Sequence, residues 1–450
     1  MNSERRPHPV LRRVALALLA VAVPLAVLLT AALYSTAAFR FALEAAQPFI
    51  PGELHYGKID GTFAGPARAE NITYEVAGTT INAASLEFDI SPLALLAGNI
   101  SLDYVEAKRL VVTLPPPGEP AKDKPPPQPR DVLDALALPV EIRVDDLDVD
   151  GFILRAGTDE TLLQLETFRT ALDWSPAALA ITNLDAEGEK LDVAGKLVLG
   201  LAAGQASAID LEGNWRGGAF PVTGGIRGNG NARQLDLAIQ LQEPARANLS
   251  AQLRDLPDTP AWQGTLHVAS VQPSTFRDGL PDAALSGEFR FTGNAADTRI
   301  EGTAKGDWPP ANGIQLALDM FVNAKRVRVE SLQATVDAFD AALSAQGELR
   351  YADALSYNAS GSISHFAWPG RENLALRDAR FDASGNAQRL ELNLDASAGE
   401  NENGRIVVEG VLAFANAGFN ITVDARDLSL ALDGTRLAVA DVSGAARGTP

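Results

Sequence analysis

From about residue 53 onward the chain alternates apolar and polar residues with a period of two. Leu86, Phe88 and Ile90 are separated by Glu87 and Asp89, and Ile100, Leu102 and Tyr104 by Ser101 and Asp103. Leu110, Val112 and Leu114 continue the pattern. It returns at Ile142, Val144, Leu147 and Val149, at Leu197 and Leu199, at Leu235, Leu237 and Ile239, and at Phe289 and Phe291. Strict alternation describes strands with one dry face and one wet face. Runs buried on both faces, as in a doubly wound parallel sheet, are missing. A glycine opens several strands (Gly195, Gly287, Gly347, Gly361, Gly410), and Trp174, Trp308 and Trp368 stand just before a proline that stops the ladder. Short recurring units of this kind predict an all-β fold: an elongated, curled sheet or solenoid whose apolar side lines a groove.

Before residue 53 the pattern is different. Val14 to Leu33 holds twenty residues without a charge, preceded by Arg5, Arg6, Arg12 and Arg13. A helix of that length spans roughly 30 Å, the hydrocarbon thickness of a bilayer. The arginines precede it, so the N-terminus is expected in the cytoplasm and the rest on the far side. The alternative is a cleaved signal peptide cut near Ser35 to Ala38, but apolar cores of signal peptides are shorter. Phe39, Ala42, Leu43, Ala46 and Phe49 then form one helical stripe, ended by Pro48 and Pro51-Gly52. Ser91 to Gly98 reads as a short helical turn between strands.

The expected organisation is therefore a cytoplasmic tail (1–13), an anchor (14–33), a short amphipathic helix (34–52), a first groove segment (53–114), a Pro-rich loop (115–130) and a repetitive groove (131–450). Pro115 to Pro129 carries eight prolines and reads as a polyproline-type surface excursion.

Composition narrows the chemistry. The chain has no cysteine, so neither disulfides nor thiolate sites arise. Its net charge of −19 excludes a phosphate-binding surface for nucleic acid. The four histidines lie far apart. Asp146, Asp148, Asp150 and Gly151 match the start of a calcium loop, but the twelfth position is Gly157 where a bidentate Glu belongs, and the interleaved Leu147 and Val149 mark a strand. Gly225 to Gly230 breaks dinucleotide-loop spacing. Nothing pairs two carboxylates for acid–base work, so neither catalytic residue nor cofactor is expected and the chain reads as no enzyme.

Several stretches, in order, resemble a known family: Glu44 to Leu54 after the anchor, Gly57-Lys58-Ile59-Asp60-Gly61-Thr62, the strands from Asn71 to Ile90, Ser91 to Gly98, Ile100 to Leu114, and then Leu138 to Ile142 and Leu172-Asp173-Trp174. This order is similar to the N-terminal region of the TamB family, the inner-membrane-anchored component of the translocation and assembly module and a member of the AsmA-like superfamily. The likeness covers about residues 10–190 and continues beyond as repeat texture. Family members are longer and end in a further domain, so the chain is expected to be an N-terminal part of such a protein. The resemblance implies a single-pass bacterial inner-membrane protein with its bulk in the periplasm. It also implies phospholipid carried to the outer membrane, and assembly of outer-membrane proteins with a partner resembling TamA that is reached through a region absent here.

Three functions stay open at this point. A lipid conduit and a scaffold that templates client β-barrel strands by augmentation both need an apolar face without a partner. A secreted β-solenoid enzyme or adhesin needs closed coils.

Overall fold

The structure is a computed structural model. It describes residues 33–448 except 47–51, 77, 97, 116–129, 131–135, 139, 158–159, 203, 277–282, 309–310, 353, 369–370, 399–403, 415–417 and 433–434. Two compact units divide at Gly217/Gly218.

The first unit opens with helix α1 (Thr36–Ala46), which the stripe on Phe39 predicts, followed by strands β1 (Glu53–His55), β2 (Lys58–Thr62), β3 (Gly65–Val76) and β4 (Thr79–Ile90). Helix α2 (Pro92–Leu96) occupies the expected helical turn, and β5 (Ile100–Leu114) to β10 (Ala206–Trp215) complete the unit. β1 and β2 both pair with β3, and from there each strand pairs with the next. α1 lays Phe39 over Ile59, Ala67 and Ala69, with Leu43, Phe63, Ile72 and Phe88 around it. Phe39 meets Phe63 edge to face at 5.1 Å. On its flank Arg40 donates to the Ile59 carbonyl and to Asp60 at 2.7 Å.

One pairing is parallel. β5 runs alongside β6 (Ile142–Ala156) with Ile100 opposite Ile142 and Leu114 opposite Ala156. The connection from Leu114 to Ile142 is therefore a crossover between the far end of one strand and the near end of its parallel neighbour; the expected Pro-rich loop 115–130 lies outside the described residues apart from Pro115 and Arg130. Parallel neighbours cannot be joined by a tight turn. Trp174, at the end of β7 (Glu160–Trp174), fastens this crossover by donating its indole N–H to the Leu136 carbonyl at 2.7 Å.

The second unit is an antiparallel array from β11 (Val222–Asn231) to β26 (Thr435–Gly448). Successive strands pair, with one variation. β20 (Ser356–Ser364) and β21 (Phe366–Trp368) lie end to end against β22 (Arg371–Asn386), broken at His365, whose φ is 54°. The unit is thus one-sided sheet throughout, as the alternation predicts.

Among the described residues no helix is long and apolar enough to cross a membrane. The expected span 14–33 lies outside them apart from Leu33, whose carbonyl accepts a bond from the Ala64 N–H at 3.1 Å.

Candidate apolar wall

The register shows what the alternation builds. In the second unit one row crosses fifteen strands: Ile226, Ile239, Leu249, Leu266, Phe289, Gly302, Leu318, Leu332, Ala345, Gly361, Phe381, Leu394, Val408, Val423 and Gly444, each opposite the next. No polar residue interrupts it. The adjacent row, two residues along each strand, is also wholly apolar and includes Leu237, Phe291, Ile300, Met320 and Val329. Leu235, Leu237 and Ile239 therefore share a face with Phe289 and Phe291. Most of these side chains are half-buried, because no second layer among the described residues covers them.

Glycine recurs within the rows next to aromatics. Phe291 stands opposite Gly264, Phe289 opposite Gly302 and Phe381 opposite Gly361. In each case the ring lies where a Cβ on the glycine would stand. The rings thus lie down across the neighbouring strand, which keeps the wall low and covers glycine backbone that would otherwise weaken the sheet.

The first unit carries an equivalent row: Ile59, Ala69, Leu86, Ala107, Val149, Phe168, Ala186, Val193 and Gly213. Ala107, Val149 and Ala186 are no more than 3% exposed, so the sheet curves enough to bury its own floor. Phe88 and Ile90 lie on this face with Leu86. Leu102 pairs with Val144, Ile142 with Ile100, Leu197 with Ile181 and Leu199 with Leu179.

Simple alternation misplaces Tyr104. The strand slips by one residue against β4 between Asp89 and Ile90, so Leu102 and Val105 face inward and Tyr104 faces outward among acids. Its phenol donates to Glu87 at 3.1 Å, and burial followed by that bond pushes its pKa up. At Arg109 (φ 52°), beside Gly151 (φ 79°) on β6, the backbone turns the phase back without a change of register, so Leu110, Val112 and Leu114 face inward again. Val105 and Ala107 join the wall through the slip at Asp89/Ile90. The apolar–charged alternation of Val105-Glu106-Ala107-Lys108 is the signal for them.

The opposite face is charged and wet. Arg299 grips Asp319 on the next strand through two bonds of 3.0 and 2.8 Å, and Arg405 grips Asp395 in the same way. These guanidiniums hold the Asp319 and Asp395 carboxyls below the usual carboxylate range, as Arg216 does for Asp192. The acidic run of β6 belongs to this face, with Asp148 paired to Arg169 at 3.2 Å. A shallow hollow around His267, Glu288, Lys305 and Gln315 is also on the polar side and breaks no apolar row.

These features define a class of protein in which each unit is a one-sided β-sheet with an apolar face and a charged back. Residues 25–197 match the family model for TamB, N-terminal domain, so this part of the chain is similar to a TamB N-terminal region. No curated protein and no solved structure matches the chain.

Proposed function

We propose that the chain is a conduit for lipid acyl chains. It is held in a bacterial inner membrane by residues 14–33 and carries phospholipid across the periplasm toward the outer membrane as part of a translocation and assembly module. The observation that carries this reading is the uninterrupted apolar row of the second unit. An apolar face left open to water is costly, and burial of apolar surface contributes about 25 cal/mol per Å². A sliding acyl chain supplies that burial without fixing a register, because each rung advances about 4.8 Å and offers nearly the same methylene contacts as the last. Fifteen rungs give roughly 65–70 Å of wall in that unit alone. The process needs neither a cofactor nor covalent chemistry.

The test is photo-crosslinking in cells. Probes at Leu86, Leu102, Leu199, Leu266 and Leu318 are expected to capture phospholipid, and probes at Glu87, Asp103 and Ser250 are not. Equal capture on both faces would overturn the conduit. Capture of β-barrel clients along the strand edges, without lipid, would favour the scaffold.

A further inference from the structure

We propose that one strand-end rim of the first unit rests on the surface of a lipid bilayer, with Tyr34 and Leu93 seated among the headgroups. This rests on the anchor reading above. The register brings distant parts of the chain to this rim. Leu33, the last residue of the apolar run, is bonded through its carbonyl to Ala64, in the turn between β2 and β3. Ala67 lies opposite Phe88, and Ser91 donates to the Ser101 carbonyl, so α2 projects from the same end of the sheet. Ile100 donates to the Glu141 carbonyl, which brings the last residues of the crossover there as well.

On these segments large apolar side chains are exposed: Tyr34 is 66% exposed and Leu93 77%, with Val140 at 39%. Single exposed apolar residues are ordinary, but here they gather where a membrane-length apolar run ends. The two rims also differ in charge. Among the described residues, turn segments on the Leu33 side (63–64, 91–96, 98–99, 140–141, 175–177, 201–202 and 204–205) hold one charged residue, Glu141. Those on the other side (78, 157, 188–190 and 216–217) hold Glu189, Lys190 and Arg216. Charged turns resist leaving water, whereas uncharged turns with apolar tips can sink about 5–10 Å into an interface. The apolar face of the first unit would then begin at the membrane surface, where lipid is taken up.

The chain has no cysteine, which allows a clean test. The full chain is reconstituted in phosphatidylethanolamine–phosphatidylglycerol vesicles containing doxyl-labelled lipid, with one polarity-sensitive fluorophore on Leu29→Cys, Leu93→Cys or Lys190→Cys. Quenching and a blue shift are expected at positions 29 and 93, with an aqueous spectrum at 190. Quenching at 29 alone overturns the rim proposal and leaves the anchor intact. Quenching at none of the three overturns the anchor, and the rim proposal with it. Equal quenching at 93 and 190 shows adsorption without orientation and also overturns the proposal.

Discussion

At the scale of single residues, the aromatic–glycine pairs decide the relief of the wall. A Cβ on Gly302 would overlap both the Phe289 ring and the Glu288 carbonyl, whereas one on Gly444, in the same row, would meet nothing within 4 Å. Both positions gain backbone stiffness on losing glycine, worth about 0.5–1 kcal/mol. At Gly302 the overlap outweighs that gain. Gly302→Val is expected to destabilise the second unit by about 1–3 kcal/mol. Gly444→Val is expected to stay within about 0.5 kcal/mol. Urea unfolding of the two variants checks this, and equal effects would mean that the rings do not rest on glycine. Position in the row is legible from the alternation of Phe289 and Phe291, but the glycine opposite each ring is not, because it is set by register between strands. The same limit explains Tyr104. Its spacing from Leu102 is that of a wall residue, and only the one-residue slip against β4, whose sole local sign is the shifted phase of Val105-Glu106-Ala107-Lys108, turns it toward Glu87.

Among elements, the crossover shows what an apolar–polar pattern leaves open. Alternation is the same in parallel and antiparallel strands, so Ile100 to Leu114 and Ile142 to Val149 reveal their faces but not their relative direction. Because Leu114 lies opposite Ala156 and Ile100 opposite Ile142, the chain must travel back about 46 Å, fourteen rises of about 3.3 Å. Deleting Pro115 to Pro129 leaves residues 130–141, which reach about 45 Å only when fully taut. That would strip Leu136 from Trp174. The deletion is therefore expected to abolish cooperative folding of the first unit, while a Gly/Ser segment of equal length in its place preserves it. Limited proteolysis and circular-dichroism melts separate the two, and a well-folded deletion would disprove the parallel pairing. Trp174→Phe, which removes one neutral hydrogen bond, is expected to cost about 1 kcal/mol. On the wet face the cross-strand pairs have a pH signature. The Asp319 and Asp395 carboxyls are held low by bonds from Arg299 and Arg405. Their contribution is complete above the ordinary carboxylate pKa of about 4 and is lost as pH falls through the lower folded value. Asp319→Asn combined with Asp395→Asn is expected to flatten the acid limb of the stability curve and barely change stability at neutral pH, since both pairs are exposed and screened by salt.

For the molecule as a whole, the net charge of −19 and the apolar rows are two aspects of one arrangement, with charge kept on the back so that the wall can stay bare. A conduit and a docking surface both use a bare wall, but they respond differently to damage. Leu266 and Leu394 lie in the same row of the second unit, eight register steps apart. An aspartate at either site stays partly hydrated in an empty groove, so the fold survives, but it must shed water when an acyl chain passes. Desolvating a carboxylate costs several kcal/mol, which slows passage at least about tenfold. In a conduit the two sites act in series, and the highest barrier sets the rate. Leu266→Asp and Leu394→Asp are each expected to suppress phospholipid delivery, and the double variant to be only marginally slower than the worse single one. Ser250→Asp, on the wet face, is expected to be silent. On a docking surface each site contributes separately to binding free energy, so the two losses would multiply. Delivery of labelled phospholipid in cells carrying the three variants at matched expression distinguishes these outcomes, and multiplying losses would remove the conduit reading.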